Sequence, residues 1–411
     1  MVVNIRNSPV RLLLSAPALL VLTGVSSAAT ATPAAVRRPD VVDYQRGLQA
    51  RRDGHYRAAM KLLEEAAVSG SGEAEYQIGR LYDEGQGVVR NYHKAMQWYR
   101  RSAATGDGHA ALRLGRLYEK GLGVTRSLGM AAMWYAKSAE MGDMAGLGKI
   151  GRLCKSKVFS AKYRKDILDF LKAGAASGNP NAMMALAGLY DNGWLVPASS
   201  RRAIGWYHKA ANAGNPLAMI FIGQSREFGW GGGKANSEDA FAWYHKAAVA
   251  GNPLAMNLVA IALEHGTGVK QDYGRAVFWL RKAAAAGNAG AMGEIAALYE
   301  SGKGVPQSYQ KAMVWFRRAA ARGDAWAMIG IGDMYVGAMG VPRDSLRGID
   351  WYKMAAARGN TSAMTDIAGL YETGFGVPRS EKKAEKWYRK AAAAGDLAAK
   401  RELARLRAKR H

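Results

Sequence analysis

Apolar and small residues recur along this chain with the spacing of a helix face, and that face itself recurs with a longer period. Ala276, Trp279, Leu280, Ala283 and Ala284 stand at i, i+3, i+4, i+7 and i+8, with Arg281 and Lys282 between them. This spacing puts the apolar side chains on one side of an α-helix and the bases on the other. The same arrangement centres on Trp98, Trp134, Trp206, Trp243, Trp279, Trp315, Trp351 and Trp387. Successive members lie 36 residues apart, except for a gap of 72 after Trp134 and one of 37 after Trp206. Phe170 stands at the middle of the double gap, and the extra residue belongs to the glycine-rich stretch Gly229 to Gly233. The register predicts about ten repeats, and internal repetition at this period marks a stacked array instead of separate domains.

Each period also carries two helix starts and one reversal. Eight residues after the Trp comes a glycine, as at Gly106, Gly142, Gly214, Gly287 and Gly395, and then Asp or Asn. Glycine takes the left-handed conformation that ends a helix, and Asp or Asn accepts the free amides that begin the next one. Pro180, Pro216 and Pro253 follow at the first helical position, where a missing N–H costs nothing. A second cap stands seven residues before the Trp, at Asn91, Ser127, Ser199, Asn236, Asp272, Ser308, Asp344 and Ser380. Ahead of it lies a break such as Gly121-Leu122-Gly123-Val124, whose glycines permit a tight reversal. The chain is therefore predicted to be all-α, made of helix-turn-helix units that bury their apolar faces only by stacking on one another.

The residue pattern Ala-x3-Leu-Gly-x2-Tyr-x2-Gly-x-Gly-Val, a cap, then Lys-Ala-x2-Trp-Tyr-x-Lys-Ala-Ala and Gly is clearest in Ala110 to Gly142 and Ala363 to Gly395. It resembles the Sel-1-like repeat, a relative of the tetratricopeptide repeat. The resemblance implies a right-handed α-α superhelical solenoid of about ten helix-turn-helix repeats. It covers residues 41–398. Residues 41–70 lack the Gly-x-Gly-Val break and look closer to a tetratricopeptide unit, followed by a Sel-1-like array over 71–395. Within the array 145–178 is degenerate, with Cys154 in the Tyr slot, Phe170 in the Trp slot and Lys157 in the first Gly slot. Residues 396–411 read as a basic C-terminal capping helix, whose charges interleave with Leu403 and Leu406.

The N-terminus changes the expected location. Arg6 and Arg11 precede a 14-residue apolar run, Leu12 to Val25, and small residues follow. This is the form of a signal peptide, taken as residues 1–28 with a linker over 29–40. The run is shorter than the ~20 residues a spanning helix needs, so the expectation is a periplasmic or secreted protein, with an N-terminal membrane anchor as the alternative. No integral span is expected in the mature chain. Cys154 is the only cysteine, so no intramolecular disulfide is available and packing alone must stabilise the fold.

The formal charge of +25 favours anionic neighbours. Its most regular source is a row two and three residues after each Trp: Arg100, Arg101, Lys137, Lys209, Lys246, Arg281, Lys282, Arg317, Arg318, Lys353, Arg389 and Lys390. These are candidate binding residues, weighed against a solvated face that belongs to the repeat motif. Trp230, in the glycine-rich loop, is a further candidate. An acidic row at Asp83, Glu119, Asp191, Glu227, Glu264, Glu300 and Glu372 is expected to pair with nearby bases, because acids near a helix C-terminus oppose its dipole.

Other chemistry finds little support. The stretch Gly229 to Lys234 continues with Ala235 and follows a helix, so it lacks the hydroxyl and the strand of a phosphate loop. His208 and His245 occupy equivalent slots with no ligand cluster around them, and no metal or other cofactor is expected. Cys154 reads as a core thiol and the recurring Ala-Met pairs as adaptable packing. No nucleophile elbow, zinc-protease helix or nucleic-acid reading motif is present, so neither an enzyme nor a nucleic-acid binder is expected.

The resemblance implies a non-catalytic scaffold or adaptor in the bacterial envelope or outside the cell, with a protein or peptide partner on the concave face lined by the first helices. Unlike residues at equivalent first-helix positions, Gln77, Arg113, Phe221, Glu294 and Asp366, agree with a ligand that does not itself repeat. The alternative is an anionic envelope polymer or lipid held by the basic row. A β-lactam-interacting hydrolase, the third reading, comes from secreted relatives that are rich in cysteine, unlike this chain.

Overall fold

A computed structural model of the chain describes residues 39–156 and 159–408. The expected export segment 1–28, most of the linker and Lys157 lie outside them. The chain divides into two compact units, residues 1–234 and 235–411, and the described residues contain no strand. The first unit holds α1 (Pro39–Arg52), α2 (Tyr56–Val68), α3 (Gly72–Glu84), α4 (Tyr92–Ala104), α5 (Gly108–Lys120) and α6 (Leu128–Glu140). It continues with α7 (Ala145–Cys154), α8 (Ala161–Ala176), α9 (Pro180–Asn192), α10 (Ser200–Asn212) and α11 (Pro216–Phe228). The second holds α12 (Ser237–Val249), α13 (Pro253–His265), α14 (Tyr273–Ala285), α15 (Ala289–Ser301) and α16 (Tyr309–Ala321). After these come α17 (Ala325–Gly337), α18 (Ser345–Ala357), α19 (Thr361–Thr373), α20 (Glu381–Ala393) and α21 (Leu397–Ala408). Within each unit a first helix and the second helix after it pack as a hairpin, and successive hairpins stack into an α-α solenoid.

Both sets of caps act as the residue types require. Asn91, Ser127, Ser199, Asp272, Ser308, Asp344 and Ser380 each accept an amide three residues on, at the starts of the second helices. Asp107, Asn179, Asn252 and their counterparts do so for first helices. First helices close on a left-handed residue, which is glycine at Gly121 (φ 70°) but Ala338 (φ 57°) at the end of α17. An L side chain there is strained by about 1–2 kcal/mol.

The tightest feature of the hairpin is a ring over a small residue. The Trp itself sits at the edge of the core, half-buried in most repeats, while the residue after it is buried: Tyr99 and Tyr135 at 0% exposure, Leu280 at 1%. A Cβ on Gly115 would lie 2.4 Å from Tyr135 Cε1, and one on Gly79 would lie 2.7 Å from Tyr99. The glycine of the Leu-Gly pair is thus the space the next helix's ring occupies, and the two helices approach until ring and backbone touch.

The degenerate stretch departs from this plan. α8 begins at Ala161, three residues ahead of the 36-residue register set by Leu128. α7 packs chiefly on α6, and α8 bridges α6 and α9. The Tyr position is taken by Leu171, and Trp194 from the following loop lies against Gly151, where an added Cβ would be 2.4 Å from its indole. An aromatic ring from a different element covers the small residue.

Two substitutions separate these effects. Gly115→Ala forces Tyr135 outward and is expected to cost about 1–3 kcal/mol in urea unfolding. Ala338→Gly relieves a left-handed alanine and is expected to raise stability by about 1 kcal/mol in the same measurement.

Candidate functional site

The bases expected to bind divide into two structural classes. Those three residues after the Trp lie over its ring: Arg101 on Trp98 at 4.5 Å, Lys137 on Trp134 at 4.6 Å, and Lys209 and Lys246 on Trp206 and Trp243 at 4.3 Å. Lys282 lies 4.7 Å from Phe278 and 5.3 Å from Trp279, Arg318 4.9 Å from Trp315, and Lys390 4.3 Å from Trp387. Each contact recurs because an i, i+3 pair on a helix faces the same way, and a cation over an indole is worth about 0.5–1 kcal/mol where it is exposed. This row keeps the outer half of each Trp covered while leaving its charge in water.

Bases two residues after the Trp make less uniform contacts. Arg100 donates to the Tyr118 hydroxyl at 2.8 Å and Arg317 to that of Tyr335 at 3.4 Å. Lys353 pairs with Asp350 at 2.9 Å and Arg389 with Glu385 at 2.6 Å, while Arg281 is exposed. Trp230 is 47% exposed and packs at 5.2 Å on Phe228, in a short 3-10 turn. Its turn packs on α10, the helix that carries Lys209.

The acidic row pairs with bases as expected at Asp83 and at Glu372, whose carboxylate meets Arg405, and it also serves buried tyrosines. Tyr99 donates its buried hydroxyl to Asp83 at 3.2 Å, Tyr135 to Glu119 at 2.5 Å and Tyr388 to Glu372 at 3.0 Å. The carboxylate satisfies the one polar atom that the buried ring brings into the core. Burial and the facing carboxylate hold these phenols well above their ordinary range. In α17 the acid position is Val336, and the Tyr352 hydroxyl goes instead to Asp333, at 2.5 Å. At Asp83 the bases are Arg116 and Arg113, which approach it at 3.6 and 3.8 Å.

The first helices present a different surface. Counting back eight, five and one residues from the residue that ends each first helix gives a stripe that lies mostly beside the core positions. In α3 and α5 it reads Gln77, Arg80, Glu84 and Arg113, Arg116, Lys120. The same register through α7 gives Lys149, Arg152 and Ser156. In α15, α17 and α19 it reads Glu294, Ala297, Ser301, then Gly330, Asp333, Gly337, then Asp366, Gly369, Thr373. The stripe is basic in α3, α5 and α7 of the first unit but uncharged in α9 and α11, and in these three helices of the second it is acidic and rich in small residues. Only the first position of each triplet was recognisable from the sequence as variable; the i, i+3 bases Arg113/Arg116 and Lys149/Arg152 are the signal that would have found the rest.

The basic stripe is a connected surface. Arg51 from α1 donates to Gln77 at 3.0 Å and to Glu84 at 2.8 Å, and Arg80 donates to Glu84 at 2.9 Å. A cavity of about 350 Å³ opens beside them, lined by Leu48, Arg51, Arg52, Tyr56, Gln77, Arg80 and Gln86. Burial, and next to it the Arg152 charge, push the Lys149 ammonium below its ordinary value. Cys154, half-buried beside this stripe, is free, and burial pushes its thiol up, which suits packing and not nucleophilic attack. Among the described residues no group of three or more His, Cys, Asp or Glu side chains is placed to hold a metal.

The family model of the Sel1 repeat matches residues 44–71, 72–107, 108–143, 180–215, 216–252, 253–288, 289–324, 327–360 and 361–396. The chain belongs to the Sel1 repeat family. The match passes over 144–179, the stretch where α7 and α8 leave the register, and takes in the first repeat. A Sel1 repeat protein from Oxalobacter formigenes is similar over 60% of this chain and 99% of its own, at 30% identity and a TM-score of 0.52. A protective antigen of uropathogenic Escherichia coli displaying an SLR fold is 28% identical over 84% of this chain and 81% of its own, with a TM-score of 0.35. No curated protein matches the chain.

One stripe residue titrates in a useful range. Burial first, then Glu264 and Asp324, raise Glu294 to about 7. A carboxyl raised on folding stabilises the fold below its unfolded value and loses that contribution as pH climbs through the folded value. Between pH 4.5 and 8, thermal unfolding is expected to shift downward by an amount on the order of 2 kcal/mol, and Glu294→Gln is expected to flatten that fall.

Proposed function

We propose that this Sel1 repeat array is a non-catalytic scaffold that holds a protein or peptide along the face of its first helices, the concave face of the solenoid. The observation that carries this reading is the contrast between the two faces. On the outer face a Lys or Arg stands over the Trp in seven repeats, and a contact used alike everywhere is part of the scaffold. On the first helices, equivalent positions carry Arg, Lys, Gly, Glu or Asp, and hairpin packing explains only some of them, such as Asp333 at the Tyr352 hydroxyl. The positions it leaves unexplained are where an array of this kind places recognition.

The scaffold works after export, in the periplasm or outside the cell, in keeping with the basic and apolar N-terminal segment; no described helix is long and apolar enough to cross a membrane. The outer basic row has less support as a site for an anionic polymer or lipid, because seven of its twelve members already cover tryptophans. Photo-crosslinking distinguishes the two faces. With a crosslinking residue at position 116, a defined adduct is expected from envelope extract, and with the same residue at position 317 none. Adducts from 317 alone would overturn the assignment of the face.

A further inference from the structure

We infer that the first-helix stripe of the N-terminal unit, across α3, α5 and α7, takes an extended acidic peptide segment whose carboxylates meet Arg80, then Arg113 and Arg116, then Lys149 and Arg152. This rests on the scaffold reading and names the chemistry of its partner. At the nine stripe positions of these helices the chain has six bases and one acid, Glu84. Neither Lys149 nor Arg152 forms an ion pair among the described residues, and Lys149 feels Arg152, Arg116 and Arg113 as repelling charges against the one attracting charge of Glu119. Gathering like charges costs free energy that an arriving carboxylate would recover.

The side chains are suited to single carboxylates. Arg113 and Arg116 carry planar guanidiniums that meet a carboxylate with two parallel donors, while Arg80 already gives Nε and Nη2 to Glu84 and adds its positive charge. Arg113 is half-buried between Asp83, at 3.8 Å, and Tyr76, so its orientation is set before a ligand comes. Asp83, Glu84 and Glu119 stand between and beside the bases. They would repel a polymer with charge at every unit, whereas a chain with spaced charges can put neutral residues opposite them.

Spacing supplies the second argument. Neighbouring helices in such a stack lie about 8–10 Å apart, and an extended chain advances about 3.3 Å per residue. Basic clusters on successive first helices therefore match an acidic residue at about every third position. The half-buried amide of Gln77 and the cavity beside Arg51, Arg52 and Tyr56 lie at the α3 end of the stripe and can receive the end of such a segment.

The test is fluorescence anisotropy with the full chain and dye-labelled peptides of about twelve residues. One has Asp at every third position among Ser and Ala, a second the same number of Asp in one block, and a third Lys in place of Asp. The spaced acidic peptide is expected to bind at least tenfold tighter than the block and far tighter than the Lys peptide, and to weaken as salt rises. Arg116→Gln with Arg152→Gln is expected to lose at least tenfold, and Arg281→Gln with Arg317→Gln to leave binding unchanged; Lys149→Gln, a milder change, is expected to lose severalfold with an unaltered melting curve. Equal binding of acidic and basic peptides, reversed by the stripe variants, would sink the acidic assignment and leave the scaffold reading standing. Loss of both would follow if no peptide bound and position 116 gave no adduct. Stripe-dependent binding of phosphatidylglycerol vesicles without peptide binding would overturn the proposal in favour of a lipid surface.

Discussion

The closest approach within these hairpins sets a ring on the second helix against the backbone of the first, as at Gly79, Gly115 and Gly332, with Leu280 in the ring's place in α14. Tyr135 over Gly115 shows the constraint at its clearest, since a single added carbon would sit 2.4 Å from the ring. Because the ring fills the gap and is fully buried, its hydroxyl must find an acceptor inside the hairpin, and the acid near the end of the first helix supplies it. The Trp before the Tyr then falls at the core's edge, where a Lys or Arg one turn on closes over it. Ring, glycine, acid, Trp and base form one set of dependent choices, which is why they recur together.

This dependence also assigns the charges. An outer row of bases looks like a binding surface when counted along the sequence, yet each member three residues after a Trp has a local contact that explains it. The bases of α3, α5 and α7 are explained only in part: Arg80 is held by Glu84, and Arg113 and Arg116 stand 3.8 and 3.6 Å from Asp83, while Lys149 and Arg152 form no ion pair among the described residues. The equivalent positions of α15, α17 and α19 carry glycine, alanine, serine, threonine or acid. Function in this array is legible as what remains after packing has been accounted for.

The exceptions follow the same physics. Where the acid position becomes Val336, Asp333 one turn earlier takes the Tyr352 hydroxyl, so the requirement is met by a different residue. Where the Tyr position becomes Leu171, Trp194 from the next loop covers Gly151, and the helix pair around it loses the hairpin arrangement. The small residue needs a ring over it more than it needs that ring to come from a given place in the chain.

By itself the sequence determined the all-α class, the 36-residue register, both sets of caps and the stretch around 145–178 where the register fails, because caps, helix-ending glycines and apolar spacing act within a few residues. It also showed that first-helix positions such as Gln77, Arg113 and Glu294 vary. Only the tertiary structure decided that Asp83, Glu119 and Glu372 serve tyrosine hydroxyls and that Arg80, Arg116, Lys149 and Arg152 share a surface. Those outcomes depend on which side chains meet across helices some 16 to 36 residues apart, and distances of that kind are set by how closely the helices pack, which no local pattern records.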